Sequence, residues 1–513
     1  MTANLADLLD GLPHAPSDVA VVCDDERISL AELKERVAEL ADVLRSAGVV
    51  AGQPVGMFVG HGSAAVVAMF AVWKVGAVYV PMNRRSTVAE IQKFIGDTPT
   101  ALVIGEPTDL AMHELPMGRI AYDFAARRAE LLAPADPEVV NYGEDVALVL
   151  RTSGTTGRPK AVLLRHVGTI EGFDSSLSAL RGKPKAGADP NAPKPLRFNL
   201  IPVSLALWAG IWNTLFSLRA GFGLLLMDKF DAVKFAGLVK EFGIKSTIMP
   251  PAMVTMLVDD PNVTDLAPLT MVRSITAPLS PVQAREFHKR FGAFVLNCYG
   301  QTELGSEVVG WTAKDVREFG ETKLGAAGRP YATVVLKILL GDGTEAGVDE
   351  YGEIMVHSPF MMEGYASGGS GSGSAAVAAS DRIVDGFLRT GDMGRLDAEG
   401  FLWVEGRVSD MINRGGNKIF PDEVEEVLRR HPNVRDAAVA GVPDRRLGEV
   451  PHAWIVLAEP RDEAALSEEL VTWVRESLVP YKIPVGFTVI DALPRNEIGK
   501  VLRKDLIASY AHA

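Results

Sequence analysis

The sequence predicts an α/β fold of several parts, and three observations carry that reading. A strand–helix–strand rhythm opens the chain, it recurs from Gly223 to Leu296, and the texture changes to short alternating strands from Gly325 to Gly406. The 513 residues are enough for two or three domains with sizeable cores.

In chain order, Ser29 reads as the N-cap of an amphipathic helix with Leu30, Leu33, Val37, Leu40 and Leu44 on one face and Gly48 closing it. Strand-like Val55-Gly-Met-Phe-Val59, a helical stretch through Trp73, and Ala77-Val-Tyr-Val80 give the first β-α-β repeat of a parallel sheet. The apolar run Val146-Ala-Leu-Val-Leu150 reads as a buried strand. Residues 181–196, dominated by Gly, Pro, Lys and Ala, read as a mobile loop. Phe198 to Met227 approaches membrane-spanning length, but Pro202, Ser204, Asn213, Thr214 and Arg219 interrupt it. A buried helix followed by the strand Gly223-Leu-Leu-Leu-Met227 is expected there. Between Gly325 and Gly406, Val335-Leu-Lys-Ile-Leu-Leu340 and Glu353-Ile-Met-Val-His357 alternate with Gly-rich turns, as in a small β-rich subdomain. Within it the Gly/Ser stretch from Ser367 to Ser374 is a flexible surface connection. After Arg407 the pattern is α+β, so a boundary near Ser409 divides residues 1–408 from 409–513.

Composition narrows the function. With 47% apolar and 23% charged residues, the chain has the balance of a globular enzyme rather than a disordered segment. A net charge of −13 argues against broad binding to nucleic acid or anionic membranes. Cys23 and Cys298 lie far apart, which excludes a disulfide framework or a cysteine zinc site. The start, Met1-Thr-Ala-Asn-Leu-Ala-Asp, has no signal-peptide character, and a cytoplasmic protein is expected.

The chemistry starts at Arg151-Thr-Ser-Gly-Thr-Thr-Gly-Arg-Pro-Lys160. Small residues let backbone N–H groups approach an anion, while Thr152, Ser153, Thr155, Thr156 and Lys160 add donors, so the loop suits phosphate, with a polar surface turn as the plainer alternative for the loop alone. Gly154 and Gly157 are too close for a Walker A loop, and Pro159 sits where that motif needs glycine. Further on, Asn297-Cys-Tyr-Gly-Gln-Thr-Glu303 follows the strand Ala293-Phe-Val-Leu296. Its Thr302 suits a phosphate and its Glu303 suits Mg²⁺, which prefers oxygen ligands; a helix cap is the plainer alternative. Tyr299 offers a ring to stack on a base. In Leu388-Arg-Thr-Gly-Asp392, Asp392 is an acceptor-only group suited to a ribose diol, and Arg407 adds charge-assisted donors. Leu493-Pro-Arg-Asn-Glu-Ile-Gly-Lys500 presents a lysine on a glycine turn.

In order and spacing, Thr152–Lys160, Tyr299–Glu303, Gly352-Glu353 with Gly364-Tyr365, Thr390–Asp392, Gly406–Ile412 and Pro494–Lys500 resemble the ANL superfamily of adenylate-forming enzymes. The resemblance covers essentially the whole chain and is nearest to the acyl-CoA synthetases. It implies a large N-terminal domain of two α/β subdomains plus a β-barrel-like part, and a small mobile C-terminal α+β domain. It also implies activation of a small-molecule carboxylic acid by ATP with Mg²⁺, then transfer to coenzyme A. On this chain it assigns Thr152, Ser153, Gly154, Thr155, Thr156, Gly157 and Lys160 to the β- and γ-phosphates. It assigns Ala277, Pro278, Leu279, Tyr299, Gly300 and Gln301 to the nucleotide, Thr302 to the α-phosphate, Glu303 to the metal, and Asp392 with Arg407 to the ribose. Lys500 is the catalytic lysine, with Thr302 and Glu303 beside it in the catalytic set. Ser409 holds the hinge position, where many relatives carry Asp or Lys, and Gly415 with Gly416 lines the coenzyme A tunnel.

The acyl pocket that the resemblance implies falls on Leu205, Trp208, Ile275, Thr276 and Gly305. Ile201-Pro-Val-Ser-Leu-Ala-Leu-Trp-Ala-Gly210 has no carboxylate to pair with an ammonium group, which argues against an amino-acid substrate. Ser274-Ile-Thr-Ala-Pro-Leu279 stands where many relatives read Ser-Gly-Gly-Ala-Pro-Leu, so side-chain volume favours a compact aromatic, alicyclic or short-to-medium aliphatic acid. The same side chains packing into the core is the alternative. Ser204 and Leu205 replace an aromatic–histidine pair frequent in coenzyme A users, which keeps a carrier-protein thiol open as acceptor. A non-catalytic nucleotide-binding regulator on the same fold is opposed by the intact Lys500, Glu303 and phosphate loop.

Overall fold

A computed structural model describes residues 4–60, 62–84, 86–112, 115, 117–152, 160–180, 196–277, 279–362, 364–366, 377–378, 381–495 and 500–510. The Gly/Ser stretch 367–374 and most of the loop 181–196 lie outside the described residues.

The first helix, Leu30–Ser46, starts where the pattern places it. Ser29 accepts the Glu32 amide, and Leu30, Leu33, Val37, Leu40 and Leu44 are all buried. It packs on the apolar helix Ser63–Lys74, buried along most of its length, which crosses between strands Pro54–Val59 and Val78–Asn83. Those two strands pair in parallel inside a nine-stranded sheet. Val146–Thr152 joins the parallel side at Tyr79, and it turns back as an antiparallel hairpin with Lys160–Arg165.

The second α/β part comprises the four-stranded sheet of Phe198–Ile201, Gly223–Leu226, Val19–Cys23 and Glu26–Ser29, and the parallel strands Ser246–Met249, Met271–Ser274 and Phe294–Asn297. The segment that opens with Phe198 differs in one respect from the expected helix and strand. Phe198–Ile201 is itself a strand, and only Trp208–Ala220 is helical. Pairing with Gly223–Leu226, distant in sequence, fixes as a strand a four-residue run too short to show a period of its own. Among the described residues no helix is long and apolar enough to cross a membrane.

The β-rich part is an antiparallel sheet of Val335–Leu339, Gly352–His357, Phe387–Leu396, Ile383–Val384 and Leu402–Arg407. The turn Val408–Asp410 follows its last strand, and a separate C-terminal sheet begins at Ile412–Arg414. There the long hairpin Val434–Asp444 with Gly448–Leu457 covers its own core of Val424, Leu428, Val439, Ile455 and Leu470.

Candidate active site

Strands Phe387–Leu396 and Leu402–Arg407 pair so that Asp392 stands opposite Arg407. The guanidinium Nε lies 3.1 Å from Asp392 Oδ1. Asp392 is only 6% exposed, so its charge requires partners. Oδ2 supplies the rest, accepting from the Tyr299 hydroxyl at 2.8 Å and from Gln301 Nε2 at 2.6 Å. Burial, then the neighbouring carboxylate, push the Tyr299 phenol well above its ordinary pKa, so it stays a donor.

Gly300 is a close approach: a Cβ there would sit 2.6 Å from the Ser306 carbonyl oxygen. The short 3₁₀ turn Thr302–Leu304 follows, with Thr302 half-buried and Glu303 buried. Among the described residues the Glu303 side chain caps no helix. Its Oε1 accepts from the Tyr365 hydroxyl at 3.1 Å and from Arg382 Nη1 at 3.0 Å. The Tyr365 ring in turn lies 4.6 Å from Lys160 Nζ. Lys160 pairs across the hairpin with Thr152; Ser153, Gly154, Thr155, Thr156 and Gly157 lie outside the described residues. Arg382 Nη2 also reaches Gln301 Oε1 at 3.3 Å. A continuous chain of contacts therefore runs from Arg407 through Asp392, Gln301, Arg382, Glu303 and Tyr365 to Lys160.

Asn297 pins the segment before this chain. Its Oδ1 accepts the Leu279 amide at 2.9 Å, while Nδ2 donates to the carbonyls of Leu279 and Gly325 at 3.0 and 3.1 Å. Ala277 is half-buried, Leu279 is buried, and Pro278 lies outside the described residues.

Lys500 arrives from the C-terminal region on the return leg of a short hairpin, where Arg495 bridges Val501 and the Leu502 amide donates to Pro494 at 2.8 Å. It is half-buried. Burial first, then the Arg407 guanidinium and Arg503, hold its ammonium below the usual lysine pKa, while Asp410 and Asp392 oppose the shift. Ser409 is exposed in the connecting turn, donating to Asp410 Oδ1 at 3.0 Å. Gly415 and Gly416, at φ +57° and +92°, form the exposed tip of the hairpin Ile412–Arg414 with Asn417–Ile419, outside the chain of contacts above. Positive φ at both positions is what such a two-residue turn demands.

The acyl candidates divide. Leu205 is 1% exposed and belongs to the main core. Gly305 is buried at φ +68°, and a Cβ would meet the Phe360 carbonyl oxygen at 2.2 Å, so backbone packing already requires glycine there. Trp208 and Ile275 are half-buried, and Thr276 is exposed at φ +72°. Sequence reasoning missed Asn297 as a positioning residue, Arg382, and the buried ion pair of Arg273 with Glu307, which also accepts from Tyr331. Only Arg382 had a local signal: Asp385-Gly386 turns Ile383–Val384 back on Phe387–Leu396, with both turn residues at positive φ.

Among the described residues no group of three or more His, Cys, Asp or Glu side chains forms a metal cage. Glu303 supplies one buried carboxylate next to the phosphate-loop hairpin. That donor set fits Mg²⁺, which binds through one or two carboxylates plus substrate phosphates and water.

Known proteins share the sequence pattern and the fold of this chain. Residues 12–366 match the family described as AMP-binding enzyme, and residues 423–500 match the AMP-binding enzyme C-terminal domain. The chain is 30% identical to the fatty acid–[acyl-carrier-protein] ligase ScoC of Streptomyces coeruleorubidus, covering 96% of this chain and 93% of that one. It is 31% identical to a feruloyl-CoA synthase of Amycolatopsis sp, covering 96% of each. In structure it resembles the o-succinylbenzoate CoA synthetase of Bacillus subtilis in complex with its acyl-adenylate intermediate, with a TM-score of 0.80, 27% identity and 98% of each chain covered. With its N-terminal match spanning well over half the residues, the chain belongs to the AMP-binding enzyme family, within the adenylate-forming ANL superfamily.

Proposed function

We propose that this enzyme activates a compact, apolar carboxylic acid with ATP and passes the acyl group to the thiol of coenzyme A. The products are an acyl-CoA, AMP and pyrophosphate. One observation supports the reading: a chain of contacts runs from Arg407 through Asp392, Gln301, Arg382, Glu303 and Tyr365 to Lys160, gathering residues expected to hold the nucleotide. A substrate carboxylate oxygen attacking the α-phosphorus is an approach of two anions, and a cation between them stabilises the transition state. Lys500 is that cation. Asp392 accepts the ribose hydroxyls, Asn297 holds the Ala277–Leu279 segment beside the base, and Lys160 with the hydroxyls of the 152–157 loop takes the β- and γ-phosphates. Glu303 holds Mg²⁺, which supplies charge neutralisation on the phosphates. Pyrophosphate leaves, and the thiol sulfur then attacks the acyl carbonyl as AMP departs. Gly415 and Gly416, free of side chains at an exposed tip, suit the passage of the thiol arm once the part of the chain beyond Ser409 has rotated.

Ser204-Leu205 and the likeness to a carrier-protein ligase favour a second reading, in which a carrier-protein thiol is the acceptor. The test is pyrophosphate release with ATP and Mg²⁺ across aryl, alicyclic and fatty acids, with and without coenzyme A. Thioester formation that requires coenzyme A supports the first reading. Adenylate formation indifferent to coenzyme A moves the assignment to a carrier protein. Nucleotide binding without pyrophosphate release for every acid would leave a regulator.

A further inference from the structure

Arg382 is a cation inside the nucleotide site that none of the roles above uses. Its side chain is about a quarter exposed, and all three guanidinium nitrogens are engaged. Nη1 donates to Glu303 Oε1 at 3.0 Å and to the Tyr365 hydroxyl at 2.9 Å. Nη2 donates to the Thr390 carbonyl at 2.7 Å and to Gln301 Oε1 at 3.3 Å, and Nε to the Arg389 carbonyl at 2.8 Å. The fork is held rigidly because the Asp385-Gly386 hairpin pairs the backbones of residues 382 and 389, with the Arg389 amide donating to Arg382. Glu303 is 6% exposed, and a buried carboxylate demands a counter-charge. In this structure that counter-charge is Arg382.

We propose that Arg382 is a positioning residue that occupies the cation seat at Glu303, so that a divalent metal gains the carboxylate only when nucleotide phosphates arrive with it. This rests on the reading of Glu303 as the metal's protein ligand. A guanidinium and a divalent ion at one carboxylate oxygen repel each other, so free metal must displace a fork with five acceptor contacts. Metal carried on ATP brings phosphate oxygens that accept from the displaced guanidinium, and the exchange becomes favourable. Nucleotide and metal binding are then coupled through one side chain.

The test is Mn²⁺ binding to the full chain, read by the loss of the free-ion electron paramagnetic resonance signal, without nucleotide and with a non-hydrolysable ATP analogue. Without nucleotide, Arg382→Met binds Mn²⁺ at least about tenfold more tightly than the parent, and adding Glu303→Gln abolishes the gain. Arg382→Lys keeps the charge but not the fork, and gains several-fold, which keeps the test open if the Met variant does not fold. Unchanged or weaker Mn²⁺ affinity in the folded Arg382 variants overturns the proposal while leaving Glu303 as a metal ligand, provided Glu303→Gln alone weakens Mn²⁺ binding in the presence of the analogue. If Glu303→Gln changes neither measurement, the metal assignment of Glu303 fails and the proposal falls with it.

Discussion

Asp392 and Arg407 face each other across two antiparallel strands, and the two oxygens of the carboxylate are divided between Arg407 on one side and Tyr299 with Gln301 on the other. The charge and direction of the carboxylate proposed to bind ribose are thus both set by its protein partners. Asp392→Asn removes the charge and turns one acceptor into a donor facing Arg407, Tyr299 or Gln301. Hydrogen bonds to charged groups contribute about 1.5–3 kcal/mol each. The expected result is a rise of roughly 10- to 100-fold in the KM for ATP in pyrophosphate exchange, with a smaller change in the KM for the acid. Equal losses for both substrates would remove Asp392 from the ribose role.

Lys500→Ala is expected to lower the adenylation rate by roughly 100- to 1,000-fold while preserving most thioester formation from supplied acyl-adenylate. A pH effect accompanies it. Because burial and Arg407 hold the Lys500 ammonium below its usual range, the charge proposed for catalysis is lost as pH rises through that lowered value. Adenylation should therefore fall on the alkaline side earlier than an ordinary lysine would dictate, whereas thioester formation should not share that limb. Coincident limbs in the two half-reactions would place the titrating group elsewhere.

What can be read from sequence here depends on how far apart the interacting parts lie. The Ser29 cap and the Leu30–Leu44 stripe are local, and a period of 3.6 is sufficient to find them. Asp392 and Arg407 are readable as chemical types, but their register requires the hairpin that joins them. The strand Phe198–Ile201 escapes because its partner lies more than twenty residues away and four residues are too few to display a period. Arg382 escapes for a related reason. Its neighbours Glu303, Tyr365 and Thr390 come from three separate segments, and a lone arginine beside a turn carries no sign of which carboxylate it will meet. Leu205 and Gly305 show the opposite limit, since a residue at a pocket position by resemblance can be explained by the core alone.

His166 gives a pH dependence of stability that is independent of the site. Its Nδ1 accepts the Leu5 amide at 3.1 Å, while Nε2 is buried without a partner among the described residues. Burial lowers its pKa from 6.5 to about 4. Above pH 6.5 neither folded nor unfolded chain is protonated there, and stability is complete. As pH falls from 6.5 to about 4, the unfolded chain takes up a proton that the folded chain refuses, at a cost that grows to roughly 3 kcal/mol. His166→Gln keeps an acceptor for Leu5 and removes the titration. Urea unfolding at pH 7 and pH 4.5 should show a smaller loss in the variant than in the parent, and equal losses would reject this origin.

Thr276 stands exposed at φ +72°, a left-handed conformation that a β-branched residue adopts only under strain. The segment continues into Ala277 and Leu279, the latter anchored by Asn297, while Ile275 is tied to the Met249 carbonyl. The surrounding anchors thus hold the strained residue in place. Such strain costs about 1–3 kcal/mol, partly offset in a glycine variant by the extra entropy glycine loses on folding. Thr276→Gly should therefore stabilise the protein by about 1 kcal/mol and raise Tm by about 1 °C, a small shift because the unfolding entropy grows with chain length. The same change removes side-chain volume from the proposed acyl pocket, and the ratio of kcat/KM for a bulky acid over a compact one should rise about tenfold. A higher Tm with an unaltered acid profile would mean that the strain is real but the side chain does not face the substrate. An unaltered Tm with a broadened profile would show that the anchors, rather than the threonine, set the backbone.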